Sequence, residues 1–89
     1  MKTYQGATGD IESVTPHDTT ALRTGDNNYE VPTRAIYCGT VTSGQTLTVI
    51  TAAGQTVTLT NPAQGVWHPI AATHIKALGT DVTNIMAGW

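Results

Sequence analysis

The sequence predicts a small all-β domain: an antiparallel β-sandwich or barrel of about six strands with an extended N-terminal arm. Eighteen of the 89 residues are Thr, whose branched Cβ suits a pleated strand and whose hydroxyl tolerates water. From Arg34 onward, the short apolar-polar segments "RAIYCGT", "TLTVIT", "TVTLT", "GVWHPIAA", "HIKALG" and "NIMAGW" are divided by "SGQ", "AAGQ", "NPAQG" and "GTDVT". That is the punctuation of short antiparallel strands. The nearest thing to a helical pattern is "PIAATHIKAL", where the β-branched residues and Pro69 argue against a helix.

Residues 1–33 read as an arm and loops, and 34–89 as the β domain. The first third holds Gly6, Gly9, Asp10, Pro16, Asp18, Gly25, Asp26, Asn27, Asn28 and Pro32, with Val14 and Leu22 as isolated apolar points. Thr15 to Thr20 can start one short helical turn, with Asp18 or Thr19 accepting from backbone N–H groups ahead of Leu22. In "TLTVITAAGQTVTLT", Leu47, Val49, Val57 and Leu59 share one face while Thr46, Thr48, Thr56, Thr58 and Thr60 take the other, by period-two alternation. Ile50 falls on the threonine face, which requires either a bulge near Ala52-Ala53-Gly54 or a covering neighbour. Further on, Val66, His68 and Ile70 alternate with Trp67, Ile75 and Ala77 with Lys76, and Ile85, Ala87 and Trp89 close one face.

Composition narrows the function classes. Charged residues are 11% of the chain against roughly 25% in an ordinary soluble domain, so hydroxyls and amides must cover the surface. The net charge is -2 and the basic residues Lys2, Arg23, Arg34 and Lys76 are scattered, which gives no electrostatic footprint for nucleic acid. No apolar run long enough for a signal peptide or membrane span is present, so a soluble product made in a cytoplasm, with no membrane partner, is expected. The single cysteine, Cys38, permits no internal disulfide. A chain this short therefore has a thin core and no covalent staple.

Reaction chemistry finds no centre. His68 and His74 stand six apart with His17 far upstream, a spacing that fits no common metal site. "GDNNYE" supplies oxygen donors at Asp26, Asn27, Asn28 and Glu30 but lacks the register of a calcium loop. Ser13 and Ser43 sit in turn-like contexts, and Cys38 alternates with Tyr37 inside a strand as a buried, inert thiol. No paired carboxylates stand in apolar surroundings. The expectation is no catalysis, no metal and no cofactor. Trp67, Tyr29, Tyr37 and Trp89 offer a stacking platform for a sugar, or else fill a core too small for Val and Leu alone. Trp89, following Ile85 and Ala87, reads as a docked chain end; Trp67 reads as core or interface.

The order of segments also resembles that of the head-spike base proteins of gene transfer agents and related tailed phages. The likeness runs from about Val14 to Trp89. It rests on Thr15, Pro16 and Asp18, the "TRAIYCG" strand from Thr33 to Gly39, the Gly54 hairpin, the Pro62 to Pro69 segment, the Gly79-Thr80 pair and the terminal aromatic. The resemblance implies a non-enzymatic virion protein, a decoration-type subunit that forms a ring, a pentamer in preference, on the capsid vertices. Its partners would be its own copies, the major capsid protein and a spike or head fibre, with the chain made in the host cytoplasm and carried on the capsid surface. Oligomerisation would stabilise a small domain and cover open sheet edges. Tyr29, Arg34, Trp67 and Trp89 are the interface candidates, with Arg34 offered an ion pair to an acid such as Asp18. The competing classes are a carbohydrate- or receptor-binding β module and a free phage-encoded regulator.

Overall fold

In the computed structural model, which describes residues 10–25 and 29–89, the chain forms seven antiparallel strands and, among the described residues, no helix. They are β1 (Ile11–Ser13), β2 (Ala35–Thr40), β3 (Thr46–Thr51), β4 (Thr56–Thr60), β5 (Trp67–His68), β6 (Ala72–Ile75) and β7 (Thr83–Gly88). Two sheets result, one ordered β1-β7-β2-β5 and the other β4-β3-β6. β2, β3, β4, β5 and β7 lie on or within one residue of segments marked by turn residues, β6 straddles the end of "GVWHPIAA" and the start of "HIKALG", and β1 comes from the first third of the chain and pairs with β7.

Alternation sets the core. Ile36 and Cys38 of β2 and Ile85 of β7 point inward from the four-stranded sheet, and Leu47 and Val49 of β3 with Ala72 and Ile75 of β6 meet them from the other. Burying each of the larger side chains contributes about 1.5–3 kcal/mol. The β3–β4 hairpin has the expected pairing, with Leu47 opposite Leu59 and Val49 opposite Val57. The irregularity at Ile50 is a register shift between Ile50 and Thr51 in the pairing of β3 with β6, which leaves Ile50 half-buried.

The threonine face of β3 is not open to water at its centre. Thr48 is 5% exposed because the chain leaving β6 folds back over it. Lys76 and Asp81 donate their backbone N–H groups to the Thr48 and Thr46 carbonyls at 2.9 and 3.0 Å. Asp81 Oδ1 accepts from the Thr46 N–H at 2.6 Å, and Thr80 Oγ1 from the Thr48 N–H at 3.0 Å. The Thr48 hydroxyl lies 2.9 Å from that of Thr58 and 3.0 Å from the Gly79 carbonyl. Gly79 has φ of 90°, and a Cβ there would stand 2.5 Å from Thr48 Oγ1.

The outer edge of β6 is also occupied, because Leu22, Thr33 and His17 donate backbone N–H groups to the carbonyls of Thr73, Ala72 and Ile75. The helical turn expected near Thr15–Thr20 is instead a bend. There His17 Nδ1, rather than Asp18 or Thr19, accepts from the N–H groups of Thr19 and Thr20 at 3.3 and 3.2 Å. Asp18 is drawn away to the loop after β6, where it accepts from the Leu78 N–H at 2.9 Å.

Gly54 and Gly79 separate two costs. At Gly54, with φ of 84° and open space around it, substitution by Ala should cost about 1–2 kcal/mol for left-handed backbone alone. Gly79→Ala adds a clash with Thr48 and should cost about 3 kcal/mol or more. Urea unfolding midpoints of the two variants read the difference directly.

Candidate functional site: the outer face of the four-stranded sheet

Because Ile36 and Cys38 face the core, Tyr37 between them must face outward. Register then places Tyr37 opposite Met86 of β7 on one side and Trp67 of β5 on the other, with Ser13 of β1 opposite Met86. The outcome is a row Ser13, Met86, Tyr37, Trp67 that crosses all four strands. The Tyr37 and Trp67 rings lie with centroids 5.4 Å apart and planes at 46°, a tilted aromatic pair.

Next along the strands the surface dips. A Cβ on Gly39 would stand 2.7 Å from the Asn84 carbonyl oxygen and 3.3 Å from Tyr37 Cε1, so only Gly lets these groups approach. Asn84 takes φ of 56° and donates from Nδ2 to Thr40 Oγ1 at 2.8 Å. The depression has a volume of about 530 Å³ and is lined by Ser13, Tyr37, Gly39, Asn84 and Met86, among others. It offers an apolar aromatic wall, a carboxamide and a hydroxyl.

Of the four interface candidates, Trp67 is on this face. It is half-buried against Tyr37 and does not belong to the buried inter-sheet cluster. Tyr29 is 73% exposed, next to the isolated bridge between Thr24 and Glu30, and its carbonyl accepts from the Gly25 N–H. Arg34 is exposed as the chain enters β2, with its backbone N–H on the Gly88 carbonyl at 2.7 Å. Asp18, the acid suggested for it within the same or a neighbouring subunit, accepts from the Leu78 N–H through Oδ1.

Trp89 is a docked chain end. Its backbone exchanges hydrogen bonds with Asp10, and its indole Nε1 donates to the Val31 carbonyl at 3.1 Å. Arg23 covers the ring, with Cζ 3.9 Å from the centroid, and also pairs with Asp10 at 2.8 Å and Glu12 at 2.5 Å. Desolvation opposes the guanidinium charge, but the hydrogen bonds and charges of the two carboxylates outweigh it and raise its pKa further. Sequence reasoning passed over this clamp, because Asp10, Glu12, Arg23 and Trp89 meet only once β1 lies on β7. Alternation around Ile36 and Cys38 was the signal available for Tyr37.

The histidines are dispersed among different partners. His68 Nδ1 lies 3.2 Å from the Ile36 carbonyl, and His74 Nδ1 lies 2.8 Å from Thr73 Oγ1, with Nε2 3.6 Å from Glu30. Among the described residues, no three of His, Cys, Asp and Glu gather as a metal site. Asp26, Asn27 and Asn28 lie outside the described residues. Ser13 lies in β1 rather than in a turn, and Cys38 is fully buried, which pushes its thiol pKa up.

A chain of a solved capsid shares this fold. In a structure described as the capsid of a native GTA particle computed with C5 symmetry, one chain superposes with a TM-score of 0.67 at 25% sequence identity. The match covers 93% of this chain and 84% of that one. No protein-family model and no curated protein matches the chain.

Two outcomes test the site's chemistry. A thiol reagent should label Cys38 in the native protein only on the timescale of global unfolding, as followed by intact mass. Arg23→Met should cost about 1 kcal/mol and lower amide-exchange protection at Asp10–Val14 while leaving Leu47 to Val49 unchanged.

Proposed function

We propose that this chain is a structural virion protein: a small β subunit that forms a symmetric ring of about five copies on a capsid vertex and seats a head spike or fibre. The observation that carries this is the likeness, over nearly the whole of both chains, to a chain of a GTA capsid with C5 symmetry. The segment order that resembles spike-base proteins of gene transfer agents points the same way. The surface is suited to assembly, since a charge-poor, hydroxyl-rich exterior can be buried without stripping water from many ions. Trp67 and Tyr29 are the aromatic side chains placed to reach a neighbouring subunit, the major capsid protein or the fibre.

A second reading has one observation in its favour. The Tyr37–Trp67 pair beside the depression at Gly39 and Asn84 is a stacking surface flanked by hydrogen-bonding groups, as a carbohydrate- or receptor-binding module presents. Saturable glycan binding that is lost with Trp67→Ala favours that reading.

Mass spectrometry of intact particles decides the first. The chain should be present in a copy number that is a multiple of five per vertex set, and its absence from particles would end the proposal. In the isolated chain, Trp67→Ala should weaken assembly by about 2 kcal/mol and destabilise the subunit by only about 1 kcal/mol. Equal losses would assign the side chain to the subunit's own stability.

A further inference from the structure

Among the described residues, hydrogen-bond parity identifies which sheet edges are left open. The Asn61 N–H donates to the Gln45 carbonyl and the Thr51 N–H to the Gln55 carbonyl, so Gln55, Val57, Leu59 and Asn61 bond toward β3. The backbone groups of Thr56, Thr58 and Thr60 therefore point away from it. The outer edge of β6 is filled by His17, Leu22 and Thr33. Strand β5 has two residues and runs into Pro69, which shortens and blunts it. Strand β4 has none of these guards: no charge, no proline and no bulge from Thr56 to Thr60, and Thr and Val are β-formers.

The four-stranded sheet has the matching edge. Asp10 and Trp89 exchange backbone bonds, and the Val14 N–H donates to the Ile85 carbonyl. The backbone groups of Ile11 and Ser13 therefore point away from β7. The side chain of Ile11 is 52% exposed. The carboxylates on this strand segment, Asp10 and Glu12, are held by Arg23, so the edge approaches a partner with its charges engaged.

We propose that the free edge of β4 pairs with the free edge of Asp10–Val14 from a second copy, joining the three-stranded sheet of one subunit to the four-stranded sheet of the next. The inference rests on the ring assembly proposed above. Pairing of β4 with another β4 is isologous and closes at two copies, whereas a larger ring needs two different edges brought together head to tail. β1 with its flanks supplies the longest free edge apart from β4 among the described strands. Pairing also sets the exposed Ile11 beside the threonine methyls, because Ile11 and Thr56, Thr58 and Thr60 all lie on outward faces of their sheets.

Cross-linking of the full chain in a Cys38→Ser background tests this. Ser13→Cys is combined in turn with Thr56→Cys, Thr58→Cys and Thr60→Cys, oxidised, and measured by denaturing and native mass. A covalent ladder ending at the ring in at least one double variant, with no cross-link from the corresponding single variants, is the expected result. Thr58→Pro removes an outward N–H without a ladder bond to β3 and should weaken the ring at least tenfold, about 1.4 kcal/mol; Thr58→Val should keep it. A ring by native mass with no cross-link in any double variant and no effect of Thr58→Pro overturns the strand pairing and leaves the ring reading standing. Dimers from Thr58→Cys alone overturn the choice of partner edge. A chain that stays monomeric at every concentration overturns the ring and, with it, this contact.

Discussion

Strand β3 is buried on both faces at its centre, and the rest of the fold is arranged to make that possible. Leu47 and Val49 enter the inter-sheet core, while Thr48 between them is covered from the other side. A buried hydroxyl is costly unless bonded, and Thr48 meets this through Thr58 and the Gly79 carbonyl. The loop over it must have Gly at position 79, since any Cβ there would collide with the hydroxyl it is meant to satisfy. One strand thus fixes β4, β6 and the path of the chain between β6 and β7.

The strands after Arg34 were legible because they obey a local rule. Alternation and turn residues predicted six segments and the faces of the β3–β4 hairpin, and those features depend on neighbours in sequence. What escaped the reading depends on distant partners. Strand β1 has three residues without a strong pattern and exists because β7 offers it an edge. Asp18 was matched with a nearby turn, yet its carboxylate is held by Leu78, sixty residues away. Thr48 looked like part of an open polar face because no local signal announces a covering loop. Trp89 was legible as a docked chain end from its place after Ile85 and Ala87, whereas Trp67 was left between core and interface until register set it on an outward row.

The two outer faces differ in what they present. On the three-stranded sheet, the exterior is a threonine lawn partly covered by the chain's own loop. The four-stranded sheet presents Met86, Tyr37 and Trp67 in line, with a hollow beside them kept open by Gly39. The fold thus places surfaces of unlike chemistry on opposite layers of one sandwich.

The Arg23 clamp and the core respond to different variables. Asp10 and Glu12 are more than half exposed where they meet Arg23, so their attraction is weakened as the Debye length contracts, from about 10 Å at 0.1 M salt to about 3 Å at 1 M. The inter-sheet cluster is apolar and indifferent to that screening. Ionic strength is therefore a dial that loosens the strand at the margin of the sandwich while leaving its centre intact.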